Sequence, residues 1–93
     1  MAFYECGKGW HPLVSAVEEV ANKHNIKLTQ VKEKFGQLRI YTDRLVPEVN
    51  DAINAAETTS LQVCEECGHP GVLRNGYWLK TLSNACEEKR KAR

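Results

Sequence analysis

The residues with the clearest capacity for chemistry lie between Cys64 and Cys86. Cys64 and Cys67 are three positions apart and are followed by a glycine, a spacing that lets both sulfurs face one tetrahedral ion. Ser83 and Cys86 repeat the same offset, so the segment has the pattern C-x2-C-x15-S-x2-C. This is the spacing of a four-cysteine zinc site with serine at the third position. The pattern predicts a structural zinc ion held by Cys64, Cys67 and Cys86.

The fourth ligand of this zinc ion is left open by the sequence. A serine hydroxyl keeps its proton near neutral pH, so Ser83 is a poor ligand compared with a thiol. His69 lies two residues beyond Cys67, and we include it among the predicted metal ligands, although the tight turn restricts the reach of its ring. The remaining candidates are a water molecule or one of three distant side chains: Cys6, His11 and His24.

Other interpretations of the cysteines are weaker. They could be small buried residues without a metal. Three protein ligands plus water is also the arrangement of a catalytic zinc, but no acid or base is tied to these cysteines by a known spacing. Glu65 and Glu66 lie between them, where charged residues usually face water. A thiol redox role is disfavoured because the Cys-x-x-Cys motif does not open a helix after a strand. We therefore expect no enzymatic activity.

The composition describes a small protein without strong charge. Its 93 residues are 42% hydrophobic, and 13 basic against 12 acidic residues give a net charge of +1. This balance argues against an acidic nucleic-acid mimic and against a strongly basic nucleic-acid coat. No apolar run approaches the roughly 18 residues that a membrane span needs. We expect a cytosolic protein with no membrane association, in which a Cys-x-x-Cys pair is usually a metal or redox motif.

Two stretches have the apolar periodicity of amphipathic helices. The first begins near Pro12 and ends near His24, and the second runs from Pro47 to about Ser60. Proline suits the first turn of a helix because the amide at that position has no intrahelical partner. Residues 3–10 contain two glycines and no sustained period, so we interpret them as an ordered loop anchored by aromatic side chains.

Between the two helices, residues 26–42 alternate between apolar and polar on both sides of Phe35-Gly36. Alternation with a central glycine predicts two antiparallel strands joined by a turn near Gly36. Val31 and Phe35 fall out of phase with Leu28, which indicates a bulge or a longer irregular loop.

A second strand pair is predicted after the first two cysteines. Asn75-Gly76 separates the apolar runs 72–74 and 77–79, and this dipeptide between apolar runs is the strongest short-range hairpin signal. The hairpin would return Ser83 and Cys86 toward the first cysteine pair, as a shared metal site requires.

These elements together predict an α+β fold in one domain over 1–93. Helix, two-stranded antiparallel element and helix form an αββα core over 1–62. A zinc-ribbon-like β-hairpin and a short basic helix follow over 63–93. The final helix is predicted at 84–93, where glutamates come early and cations late, as the helix dipole favours.

Two classes of partner are compatible with this chain. Near-neutral charge and the lack of a catalytic constellation favour a non-enzymatic module that engages a protein. The alternative is a zinc-ribbon nucleic-acid binder in which Tyr77 and Trp78 stack on bases, although both could instead fill the core over the cysteines. Its phosphate contacts would come from five cations of the hairpin and the C-terminus: Arg74, Lys80, Lys89, Arg90 and Lys91.

Four motifs span nearly the whole chain: Cys6-Gly7-Lys8-Gly9-Trp10, VKEKFGQLRIY over 31–41, Ala56-Glu57, and CEECGHPG over 64–71 followed by WLKTL over 78–82. In these motifs the chain resembles a family of small, functionally uncharacterised proteins of bacteriophages and prophages. The family pattern looks like a zinc knuckle with Cys-x-x-His or Cys-x-x-Cys after a Thr-Leu pair, where this chain has Ser83 and Cys86. The resemblance implies a phage origin, and we expect a protein that modulates a host protein in the host cytosol.

Overall fold

The computed structural model describes residues 4–75 and 79–91 and has the predicted α+β class. Among these residues, no helix combines the length and the apolar character needed to cross a membrane. The elements in chain order are β1 (Tyr4–Glu5), a 3-10 turn (Lys8–Trp10), α1 (His11–Lys23), β2 (Leu28–Lys34), β3 (Gln37–Thr42), α2 (Pro47–Ser60), β4 (Val72–Arg74), β5 (Lys80–Leu82) and α3 (Asn84–Lys91).

Both amphipathic helices form where the periodicity predicts them. Pro12 and Pro47 occupy the first turns of α1 and α2, where proline costs no intrahelical hydrogen bond. The two helices pack against each other, and α2 also packs on β3. Their apolar faces therefore cover one side of the strand pair that lies between them in sequence.

The pairing of β2 with β3 contains the predicted irregularity as a bulge. The register shifts between Leu28 and Gln30, so Thr29 is an extra residue on β2. Because of this shift, Leu28 and Val31 both face the core, although simple alternation would place them on opposite faces. The longer irregular loop is thereby excluded.

The turn between β2 and β3 consists of Phe35 and Gly36, whose φ angles are +55° and +80°. Positive φ at both positions matches the twist of a two-residue hairpin. Gly36 is also approached closely, because a Cβ atom there would lie 2.5 Å from Leu73 Cδ1. Its carbonyl oxygen accepts a hydrogen bond of 2.6 Å from Thr81 Oγ1. The turn is therefore one of the contacts that attach the second hairpin.

The first described residues contain structure that the sequence pattern does not predict. Tyr4–Glu5 pairs with β2 in parallel and completes a three-stranded sheet in the order β1-β2-β3. The interpretation of residues 3–10 as a loop is wrong for this strand and for the 3-10 turn, because two- and three-residue elements show no periodicity. Trp10 is completely buried and does anchor the segment, whereas Phe3 lies outside the described residues.

One apolar core joins the sheet to the two long helices. The buried residues of this core lie between Trp10 and Ala56 in sequence. Its buried residues are Trp10, Val14, Val17, Ala21, Ile26, Leu28, Val31, Leu38, Ile40, Val49, Ile53 and Ala56.

Strands β4 and β5 form a separate two-stranded antiparallel sheet. Arg74 pairs with Lys80, so the described partner of β4 is Lys80–Leu82. Of the predicted second strand at 77–79, Leu79 precedes β5, and the other two residues lie outside the described part of the chain. Thr81 and Leu82 of β5 are buried, and their packing helps to fix its register against β4. Gly76, Tyr77 and Trp78 lie outside the described residues, and so do the last two residues of the predicted helix.

Candidate metal centre

The structure brings together the three cysteines predicted as metal ligands. The sulfur atoms of Cys64, Cys67 and Cys86 all lie within 4.8 Å of one another. Zinc–sulfur bonds of about 2.3 Å in a tetrahedron place sulfur atoms about 3.8 Å apart. A small contraction of the observed cluster would therefore let one metal ion contact all three sulfurs.

The first two cysteines are held by a tight backbone turn. The amide of Gly68 donates to the carbonyl oxygen of Cys64 at 3.0 Å, and Gly68 has a φ of +81°, a conformation that favours glycine. The Cys67 amide lies 3.5 Å from the Cys64 sulfur. The Cys64 amide donates to the carbonyl oxygen of His69 at 2.8 Å, which closes the turn. An amide directed at a sulfur stabilises its thiolate form.

Cys86 is positioned by the start of α3. Ser83 precedes this helix, and its hydroxyl accepts a hydrogen bond of 3.3 Å from the Cys86 amide. This is the contact that a serine N-cap makes with the third residue of a helix. The carbonyl oxygen of Ser83 accepts from the Glu87 amide at 2.9 Å. The cap fixes the first turn of α3, and with it the direction of the Cys86 side chain.

The Ser83 hydroxyl also lies among the three thiols. It is 3.4 Å from the Cys67 sulfur while it accepts from the Cys86 amide, so it lies between these two cysteines. Ser83 thus occupies the place that its sequence offset predicts for a fourth ligand. The cluster presents three thiols and one hydroxyl around a common point.

The other predicted ligands do not join this group. Nδ1 of His69 lies 3.4 Å from the Cys67 sulfur, but the exposed ring stands at the rim of the cluster and outside the mutually close set. Cys6 is also outside that set, the His11 ring packs edge-on against Tyr4, and the His24 ring faces Glu48 at 3.8 Å. The three distant candidates for a fourth ligand are therefore wrong, because the fold engages each of them elsewhere.

The environment separates the acidities of the thiols. The pKa of Cys67 is lowered to about 6, first because the Ser83 hydroxyl donates to its sulfur and then because the His69 amide and ring do so. Burial opposes ionisation of Cys64, yet hydrogen bonds from Ser83 and from the amides of Cys67 and Glu66 bring its pKa below the ordinary value. The pKa of Cys86 is raised: a hydrogen bond from Ser83 is outweighed by burial and by the neighbouring sulfurs.

Glu65 is buried, so the expectation that both glutamates face water is wrong for this residue. Its carboxylate accepts a hydrogen bond of 2.9 Å from the Gly7 amide and pairs with the Lys80 ammonium at 3.4 Å. Burying a carboxylate requires such compensation. Glu66 is exposed, as expected.

The glycines near the N-terminus permit a close approach to the cysteine turn. Gly9 donates from its amide to the carbonyl oxygen of Glu65 at 2.7 Å. A Cβ atom at Gly9 would lie 2.2 Å from the Cys64 carbonyl oxygen, and one at Gly7 would lie 2.4 Å from the Glu65 carbonyl oxygen. Nearby, the Trp10 indole donates to the Val63 carbonyl oxygen at 2.8 Å. The Gly-Lys-Gly-Trp stretch is the sequence feature that indicates this contact between the N-terminal segment and the cysteine turn. The spacing of the cysteines alone does not reveal it.

An open groove of about 620 Å³ borders the cysteine cluster. Cys67 and Cys86 contribute to its lining, with Glu66 as the one carboxylate among the described lining residues. The cationic lining residues are Lys8, Lys80, Lys89 and Arg90.

Three of the five cations predicted to contact phosphates therefore share one surface, and two do not. The guanidinium of Arg74 donates to the Leu82 carbonyl oxygen at 3.1 Å and to Asn84 Oδ1 at 2.7 Å, so it ties β4 to the start of α3. Lys91 is exposed and lies outside the groove lining.

Comparison of the chain with protein-family models, with curated proteins and with solved structures finds no match. The chemistry of the donor atoms is then the guide to what the site can do. Sulfur ligands select transition metals over magnesium and calcium, which prefer oxygen. Cys64, Cys67 and Cys86 can hold such a metal ion, with the Ser83 hydroxyl beside them.

Proposed function

We propose that this protein is a non-enzymatic binding module whose C-terminal hairpin and helix are held by one structural zinc ion. The observation that carries the proposal is the convergence of three thiols within 4.8 Å of one another. Zinc suits this set because it accepts sulfur ligands in a tetrahedron and has no redox activity of its own.

A structural role is favoured over a catalytic one by what surrounds the cluster. Glu65, the acidic residue directly after the first cysteine, already accepts from the Gly7 amide and pairs with Lys80. It is therefore engaged in structure and not available as a general base. The Ser83 hydroxyl caps α3 and lies beside the sulfurs, where a catalytic zinc would hold an open water position.

We further propose that the partner is a host protein and that the module acts in the host cytosol during phage growth. The phage setting is supported by the resemblance of the four motifs to bacteriophage and prophage proteins. The protein partner is supported by the near-neutral balance of 13 basic and 12 acidic residues. Nucleic acid is the second candidate, and the observation in its favour is that Lys80, Lys89 and Arg90 line one groove.

The zinc proposal is tested by elemental analysis and thermal melting of the purified chain. We expect one zinc ion per chain and a lower melting temperature after chelation. Cys67→Ser is the most informative variant because Cys67 is exposed, so that its loss removes a ligand without opening a core cavity. Cys6→Ser is the matched control, since Cys6 is a thiol outside the cluster. Zinc retained by Cys67→Ser, or lost equally from Cys6→Ser, would overturn the proposed site.

The binding proposal is tested by recovering the tagged chain from infected host cells with and without nuclease treatment. We expect a host protein to be recovered with the chain whether or not nuclease is present. The two purified components should then form a saturable complex of defined stoichiometry. Recovery of nucleic acid alone, with an affinity that falls steeply as salt rises, would replace this proposal with the nucleic-acid one.

A further inference from the structure

We infer that the groove beside the cysteine cluster is a docking site for an acidic segment of a protein partner. This inference rests on the proposed function, because it assigns a surface and a chemistry to the protein partner proposed above. Its basis is a concentration of positive charge that the overall composition conceals.

Three separate parts of the chain supply the cations of the groove. Lys8 comes from the 3-10 turn, Lys80 from β5, and Lys89 and Arg90 from α3. One carboxylate, Glu66, accompanies these four cations among the described lining residues. Outside these lining residues the chain has nine basic and eleven acidic residues, and two of those acids, Glu65 and Glu87, are buried, so the rest of the surface carries no net charge. The fold has gathered positive charge at one place.

The cations have two different roles in the groove. Lys80 pairs with buried Glu65 at 3.4 Å, and Arg90 pairs with buried Glu87 at 3.1 Å. These pairs hold the two side chains against the wall and reduce their net charge. Lys8 and Lys89 are exposed, and within residues 4–75 and 79–91 neither forms an ion pair. Lys8 and Lys89 are therefore the cations best placed to receive an external carboxylate.

An acidic peptide fits this groove better than a nucleic acid does. A duplex would extend far beyond a groove of about 620 Å³ and onto a remainder of the surface that has no excess of positive charge. A short segment with a few carboxylates can engage the groove alone.

The groove also depends on the metal centre. Cys67 stands on its wall, and Cys86 lies one turn before Lys89 and Arg90 on α3. A metal ion joining these two cysteines fixes α3 relative to the cysteine turn, and thus fixes the distance across the groove. Metal loading should therefore strengthen peptide binding.

The test is fluorescence anisotropy of the zinc-loaded protein with three labelled probes. These are a ten-residue peptide rich in Asp and Glu, its Asn and Gln counterpart, and a single-stranded oligonucleotide of equal charge. The double variant Lys8→Gln/Lys89→Gln removes two groove charges. Lys23→Gln/Lys27→Gln is the control, because it removes the same charge from exposed positions outside the groove. Zinc content and melting temperature of both variants are measured in parallel to verify the scaffold.

We expect saturable binding of the acidic peptide at low salt, no binding of its amide counterpart, and a loss of about tenfold or more in affinity in the groove variant. The control variant should stay within about twofold of the parent. Absence of peptide binding to fully zinc-loaded protein, or equal losses in both variants, would overturn the inference while leaving the zinc scaffold in place. Tighter binding of the oligonucleotide, lost in the groove variant, would assign the groove to nucleic acid instead.

Discussion

The two parts of this molecule are stabilised by different kinds of interaction. Residues 4–60 contain the continuous apolar core that runs from Trp10 to Ala56. In the described residues 63–75 and 79–91 the buried apolar residues are Cys64 and Leu82, and the buried polar ones are Glu65, Thr81, Ser83 and Glu87. The first part is held by removal of apolar surface from water, whereas the described residues of the second are joined mainly by specific hydrogen bonds, ion pairs and the cysteine cluster.

This difference explains why a metal ion at the cysteine cluster would add stability where the apolar core does not reach. Strands β4 and β5 have three residues each, and an isolated two-stranded hairpin is marginally stable in water. Small units without an adequate apolar core are usually reinforced by a metal or a disulfide. We infer that the C-terminal part depends on a metal and that the N-terminal part does not.

Removal of the metal should have the largest effect and should be confined to the C-terminal part. We expect chelation to lower the free energy of unfolding of the zinc-loaded protein by about 3 kcal/mol or more, since binding energy of a structural zinc is folding energy. In hydrogen exchange, amides of residues 63–91 should lose protection and those of α1, β2 and α2 should keep it.

The variant Cys64→Ala should reproduce this loss and add to it, because Cys64 is completely buried and its removal also leaves a cavity. Identical melting of the parent protein with and without chelator would exclude the metal dependence. Equal loss of protection in α1 and in the hairpin would show instead that the two parts unfold as one unit.

Gly9→Ala should have the next largest effect, because it breaks the contact between the two parts. The added Cβ would lie 2.2 Å from the Cys64 carbonyl oxygen, so backbone must move. We expect a loss of about 2 kcal/mol in denaturant unfolding, together with weaker zinc affinity. Lys8→Ala is the control at the neighbouring exposed position. A stability equal to that of the control would mean that the N-terminal glycines do not support the cysteine turn.

The parts also differ in how far the sequence predicts them. Helices α1 and α2 follow from local signals, since Pro12 and Pro47 set their starts and apolar spacing identifies their buried faces. The α+β class and an irregularity between Leu28 and Val31 follow from the same periodicity, although the pattern does not distinguish a bulge from a longer loop. These features are predictable because the residues that determine them are close in sequence.

Other features depend on contacts between distant residues. Two-residue β1 has too few positions for a pattern, and the register of β4 against β5 is set by burial of Thr81 and Leu82. The burial of Glu65 follows from its pairing with Lys80 and the Gly7 amide. Cysteine spacing predicts that the three thiols meet, but the role of Ser83 as the cap of α3 emerges only when the helix start is known.

Ser83→Cys should make the stability of the C-terminal part depend more strongly on the metal, and so increase its difference from the N-terminal part. A thiolate at this position would stand beside the three existing sulfurs, given that the Ser83 oxygen is 3.4 Å from the Cys67 sulfur. We expect at least about tenfold tighter zinc binding in a chelator competition, from one added sulfur ligand. Ser83→Ala is the companion variant, and it should lose about 1 kcal/mol of helix capping without a gain in zinc affinity. Unchanged affinity of Ser83→Cys would mean that another residue already fills the fourth position.

The smallest expected effect is a difference in reactivity between one thiol from each part. Alkylation requires the thiolate, which predominates above the pKa. In metal-free protein, the alkylation rate of Cys67 should therefore have its midpoint near the Cys67 pKa of about 6. Burial and the charge of Glu65 raise the pKa of Cys6 to about 11, so Cys6 should be almost unreactive at neutral pH. Mass spectrometry of peptides after brief iodoacetamide pulses from pH 5 to 9 measures both rates.

Zinc should protect Cys67 strongly in this experiment and change the rate of Cys6 little, because Cys67 belongs to the cluster and Cys6 does not. A Cys67 midpoint near the ordinary thiol value of about 8.5 would show that the hydrogen bonds from Ser83 and His69 are lost once the metal leaves. A Cys6 rate that rises to that of Cys67 on chelation would contradict the separate stability of the two parts, since burial against the apolar core, the larger cause of the raised Cys6 pKa, should persist without metal.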